Sequence, residues 1–175
     1  GWPAPPQRAG QQPPPAKPAP APAVPFQEGL KYAYVNVQAV AAESAEGKAA
    51  AAKIKALQDA RVKELNEKNK ALQTAQQKLE SGGSVMSESA RAQLQADIER
   101  QQRDIQRFTE DAQQDITTAT QQAQDEFGRK LQRCIDKVAR EKKVDFVFTA
   151  AESGLIWAVD GMNLTADVIK AFDAG

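Results

Sequence analysis

The sequence predicts a mainly α fold with a small β cap (α+β), in which a long antiparallel helical hairpin forms an arm and short strands gather at its root. Three observations predict it. Leu94, Ile105, Ile116, Phe127 and Val138 recur at a constant eleven-residue step between Ser87 and Lys142, and Ala112, Ala123 and Cys134 form a second row. Eleven residues close three turns at about 3.67 residues per turn, so such a helix shows one constant face and supercoils little or slightly right-handedly. A thinner stripe of Ile54, Leu57, Leu65, Leu72 and Leu79 lies upstream, with Val62, Asn69 and Gln76 at the a positions that accompany Leu65, Leu72 and Leu79 as d. Between the stripes, Ser81-Gly82-Gly83-Ser84 is a breaker cluster with room only for a reversal.

Taken in order, residues 1–29 are a leader rich in Pro, Ala and Gln, including Pro13-Pro14-Pro15. Such a segment buries no core and favours extended conformations, so it reads as a disordered or semi-rigid spacer. Residues 30–40 and 143–175 read as the cap and oligomerisation body. Tyr32, Tyr34 and Asn36 alternate with Ala33, Val35 and Val37, as a short strand would. Residues 41–142 are the arm, with its tip at about 81–87. Its second helix, roughly 55 residues long, spans about 80 Å. Gly47 and Gly128 interrupt good helix formers near the arm's root, where residue 47 is expected opposite about residue 120, and a hinge between them is the expectation. After the arm, Val144–Thr149 reads as a second strand, and Leu155, Ile156, Trp157, Ala158 and Val159 as a third. A final helix follows, with Thr165 as its N-cap and Leu164 and Ile169 as a hydrophobic staple.

The second and third strands are apolar on nearly both faces, which a small sheet with one covering helix cannot satisfy. Val168, Ile169 and Phe172 of the last helix can cover one face. Further copies of the chain are the simplest cover for the other, through Tyr34, Val35, Val37, Phe146, Val147, Phe148, Leu155, Ile156, Trp157 and Val159. The expectation is an obligate oligomer from which arms project. On the arms, Val85 and Met86 at the tip, with Leu72, Leu79 and Leu94 nearby, are the candidate contacts for a bound apolar chain.

Composition narrows the function. Among 175 residues, 23 are basic and 23 acidic, so the formal charge is zero and the usual electrostatic argument for a nucleic-acid partner is absent. Histidine is missing and cysteine occurs once, which leaves no zinc site, catalytic triad or disulfide framework in the pattern. Gly47-Lys48 lacks the glycine spacing and following Ser or Thr of a phosphate loop and reads as helix. Neither an enzymatic activity nor a cofactor is expected. Cys134 lies on a repeat row and reads as a small apolar interface residue. The chain begins without Met or a signal peptide and is expected to be a trimmed, mature form.

The Tyr34-Val35-Asn36-Val37 strand, the Gln-rich hairpin, Val144-Asp145-Phe146-Val147-Phe148, the Trp157-bearing strand and Leu164-Thr165-Ala166-Asp167-Val168-Ile169 together resemble the Skp/OmpH family of periplasmic chaperones over about Lys31 to Phe172. The resemblance implies a homotrimer with a shared β-barrel body, and three arms around a cavity that holds unfolded outer membrane proteins in the periplasm without ATP. A membrane or lipopolysaccharide surface is a further partner it implies. Family arms are often basic, whereas this chain is neutral. The alternative class is a coiled-coil adaptor that binds one folded partner.

Overall fold

The computed structural model describes residues 29–175; the leader read over residues 1–29 lies, apart from Gly29, outside them. Strand β1 (Tyr32–Val35) is followed by α1 (Val37–Glu43), α2 (Ala45–Gly82), a 3-10 turn (Gly83–Val85), α3 (Glu88–Lys142), β2 (Phe146–Thr149) and α4 (Thr165–Ala174). Helices α2 and α3 form the hairpin. They return the chain to the end at which it left, so β2 pairs with β1 in parallel, Tyr32 opposite Phe146 and Val35 opposite Thr149. Parallel pairing needs a crossover, and here the whole arm is the crossover.

The eleven-residue stripe faces inward as expected. Leu94, Ile105, Ile116, Ala123 and Phe127 are half-buried, and Ala112, Cys134 and Val138 are buried. Each helix start along the arm has its own side-chain cap. Asn36 Oδ1 accepts from Ala39 N–H at 3.1 Å, Ser44 Oγ from Gly47 N–H at 3.1 Å and Ser87 Oγ from Ala90 N–H at 3.1 Å. These satisfy donors that a helix start otherwise leaves open. At its far end α3 stops on Lys143, whose left-handed backbone (φ 55°) lets its N–H bond back to the Ala139 and Arg140 carbonyls.

Four local expectations are corrected. The first rod is broken at Ser44 into α1 and α2. Its extended backbone (ψ 148°) turns the chain there, and Asp173 of α4 takes the freed Ala45 N–H at 2.9 Å. Thr165 is the first residue of α4 rather than its cap. The Thr165 side chain is turned into the fold, where Oγ1 accepts from Asn36 N–H at 2.9 Å, and Asn163 Oδ1 accepts from the Thr165 N–H at 3.0 Å.

The third strand is not formed, and Leu155–Val159 is irregular. One edge of β1 is taken by β2. The other is taken by residues 162–164, through Tyr34 N–H to Met162 O and Leu164 N–H to Tyr34 O, each 2.9 Å. Within one chain Leu155–Val159 therefore has no free edge of β1 to join, it does not pair with the outer edge of β2, and a short apolar run alone does not hold a strand. Finally, Val62 is exposed (57%) rather than in the seam, and Arg61 stands there instead.

The core sits at the root. Ala33 and Val35 of β1, Val40 of α1, Leu131, Cys134 and Val138 of α3, and Leu164, Val168 and Phe172 pack together, with Val37, Val147 and Ile169 against them. Helix α4 thus covers one face of the sheet as its apolar residues predict.

Candidate functional site

Two surfaces are candidates, one on the cap and one on the arm. In β1 and β2 the period-two alternation sends Ala33, Val35 and Val147 toward the core. Tyr32, Phe146 and Phe148 are left on the other face, about half exposed. Their rings cluster in a triangle, Tyr32 to Phe146 at 5.8 Å, Tyr32 to Phe148 at 6.3 Å and Phe146 to Phe148 at 6.0 Å. The irregular segment runs beside them, with Ile156 exposed by 99% and Trp157 by 77%. Between this ring cluster and the segment lies a cleft of about 520 Å³ lined by Tyr32, Tyr34, Phe148, Leu155, Trp157 and Met162. An apolar surface this concentrated, on a chain of balanced charge, is built to be covered.

Of the residues expected in the cap, the structure gathers Tyr34, Phe146, Phe148, Leu155, Ile156 and Trp157 around this face, and Val159 is exposed. Val35 is 1% exposed, and Val37 and Val147 pack on the core, so these three support the face from behind.

The arm carries far less. Leu72, Leu79 and Leu94 are half-buried in the hairpin seam, Met86 is half-buried at the tip, and Val85 is 87% exposed. Gly83, buried under the tip, accepts from Arg91 Nε–H at 3.0 Å through its carbonyl, which ties the turn to α3. A Cβ on Gly83 would stand 3.6 Å from Leu79 Cδ1.

Midway along the arm is a polar stretch of seam that the heptad phasing from Leu65 missed. Arg61 reaches Asp115 at 3.1 Å and Glu64 at 3.6 Å. Arg61 and Lys68 also lie over the Phe108 ring, 6.0 and 5.3 Å from its centroid. The signal was present: stepping by sevens from Ile54 reaches Arg61 and Lys68.

At the root, Lys130 pairs with Glu46 and lies 4.5 Å over the Phe172 ring. With Arg61–Asp115, this pair sets the level of the two helices. Gly47 therefore stands within about a turn of Gly128, not opposite residue 120. The 3-10 turn and the late start of α3 account for the offset. The absence of a side chain at Gly47 is also a steric requirement, because a Cβ there would overlap the Ala41 carbonyl and come within 2.8 Å of Ser44 Oγ. Nothing lies within 4 Å of a Cβ built on Gly128.

The exposed Arg140 guanidinium is held above its ordinary pKa by its hydrogen bonds to Asp136, at 3.0 and 3.1 Å, and by that carboxylate's charge. No group of three or more His, Cys, Asp or Glu side chains is placed to hold a metal ion among the described residues. Nor is any described helix long and apolar enough to cross a membrane.

No curated protein matches the chain. Among solved structures, it is similar to a putative outer membrane chaperone (OmpH-like) from Caulobacter crescentus CB15, with a TM-score of 0.76 at 20% identity. That match covers 87% of this chain and 89% of the other, and at this identity it establishes the shared fold. The profile of the OmpH-like outer membrane protein family matches residues 31–172, so the chain belongs to the OmpH-like family.

Proposed function

We propose that this chain is an ATP-independent holdase chaperone of the periplasm, which binds unfolded outer membrane β-barrel proteins between helical arms and prevents their aggregation in transit. The observation that carries the reading is the pairing of a bare aromatic cap with a thin, weakly apolar arm. Covering Ile156 and Trp157 with further copies of the chain contributes about 1.5–3 kcal/mol each, and covering the half-exposed Tyr32, Phe146 and Phe148 about half as much. In that assembly, a homotrimer with a shared β-barrel body, Leu155–Val159 pairs as a strand. The arms then project together around a cavity.

Weak contacts suit such a holdase. Val85 and Met86 at the tip, with the exposed parts of Leu72, Leu79 and Leu94, each offer a client about 1–3 kcal/mol of burial. Several arms acting together hold what one contact cannot, while any one contact breaks readily. Release needs no nucleotide, because insertion into a membrane buries far more of the client. A membrane or lipopolysaccharide surface is the compatible delivery point. Swinging of the arm to admit larger clients is assigned to the level of Gly47 and Gly128, with Gly128 the freer of the two.

The test is suppression of aggregation when an unfolded outer membrane β-barrel protein is diluted from denaturant into the purified full chain. Stoichiometric suppression is expected, weakened by Val85→Asp together with Met86→Asp. Failure at one assembly per client would favour the coiled-coil adaptor that binds a folded partner.

A further inference from the structure

The root-proximal half of the arm separates its charges by helix. From Phe108 to Gly128, α3 carries Glu110, Asp111, Asp115, Asp125 and Glu126 and no Lys or Arg. From Lys48 to Lys68, α2 carries Lys48, Lys53, Lys55, Arg61, Lys63 and Lys68 against Asp59, Glu64 and Glu67. The separation is confined to this stretch. Residues 129–143 are mostly basic, and residues 88–107 balance.

The two segments lie at the same height along the arm, because Glu46 meets Lys130 and Arg61 meets Asp115. Most of the charge is not consumed inside the hairpin. Glu110, Asp111, Asp125 and Glu126 are exposed, as are Lys48, Lys53 and Lys63, and none has an ion-pair partner among the described residues.

We propose that these flanks are an interaction surface between arms of neighbouring copies, the acidic Phe108–Gly128 stretch of α3 in one arm facing the basic Lys48–Lys68 stretch of α2 in the next. The inference rests on the oligomeric reading above. In a ring of identical copies about one axis, contacts are heterologous, so one flank of each arm meets the opposite flank of its neighbour. Rotation about that axis keeps every residue at its own height. Segments level within one chain are therefore level between chains, and opposite signs meet. Attraction of this kind draws the arms inward over an empty cavity, and salt weakens it.

The experiment uses the full chain assembled in solution, with Cys134→Ala and a spin label on Ser84→Cys at the arm tip. Tip-to-tip distances are measured between about 0.01 M and about 1 M salt, where the screening length falls from roughly 30 Å to roughly 3 Å. Distances should lengthen and broaden as salt rises. Asp111→Lys with Asp125→Lys and Glu126→Lys should invert that dependence, because like charges then face each other. Adding Lys53→Glu, Lys55→Glu and Lys63→Glu should restore it. Distances indifferent to salt and to the reversals, in an assembly of unchanged native mass, would overturn the proposal and leave the oligomeric reading intact. Loss of binding to a cationic peptide such as polylysine, with the tips unmoved, would overturn it in favour of a client surface. A native mass of one chain would remove the oligomeric reading and this proposal together.

Discussion

The root and the arm are built on opposite terms. Among the described residues, the largest side chains less than 2% exposed, Phe172, Val35, Val40, Val168 and Ser44, lie at the root. The arm's α2 buries no residue fully over its 38 residues. The root is held in three dimensions, by α4 across the sheet, Asp173 on the start of α2, and Lys130 over Phe172. The arm is held along one line by side chains that are mostly half-buried, with Ile98 and Ala112 buried, and by exposed ion pairs. The contrast teaches that stability and reach are separated in this chain, and that substitutions should be judged by which region they fall in.

Phe172→Ala should have the largest effect. The ring is fully buried and packs 5.1 Å from the Phe127 centroid, so its loss should cost about 3–5 kcal/mol in urea unfolding. Leu72→Ala, in the half-exposed arm seam, should cost less than about 2 kcal/mol. Equal costs would break the contrast.

The two glycines sharpen it. Gly47→Ala should destabilise by more than about 1 kcal/mol, because α1 and α2 must part to admit the methyl group. Gly128→Ala should stabilise by about 0.5–1 kcal/mol, since the added methyl meets open space in a helix. Thermal melting of the two variants checks the opposite signs. Lys143→Gly, which relieves a left-handed backbone at the end of α3, should stabilise by up to about 1 kcal/mol, visible in the same melts. Asp115→Ala should cost less than about 1 kcal/mol, because its pair with Arg61 is half in solvent. A cost near that of Phe172→Ala would show that the polar seam, not the root, holds the arm.

Much of this fold was legible in the sequence, because the features that encode it are local and repeated. The eleven-residue stripe named the buried face of α3, Ser81–Ser84 named the turn, and alternation in β1 separated Ala33 and Val35 from Tyr32 and Tyr34. Legibility failed where a distant residue decides. The break at Ser44 is stabilised by Asp173, and the sequence marks the place only by Gly47, which reads as a hinge within one helix. Thr165 reads as a cap, yet its hydroxyl is taken by Asn36, far away in the chain. Arg61 is polar and so escapes an apolar template, although seam packing and Asp115 place it inside.

The candidate site divides in the same way. Its composition was legible as apolar residues too numerous for one helix to cover. Which of them stand bare was not, because that depends on α4 and residues 162–164 having taken one face and one edge of a two-stranded sheet. Val35 and Val147 are as apolar as Ile156, and only the register of β1 against β2 sends them inward.

The central claim is that the aromatic face of the cap is covered by other copies of the chain. Native mass measured across a dilution series, alongside Trp157→Ser with Phe146→Ser, tests it most directly. One closed assembly should persist on dilution and fall to single folded chains in the double variant. A parent chain that stays single, soluble and cooperatively folded at every concentration would contradict that claim.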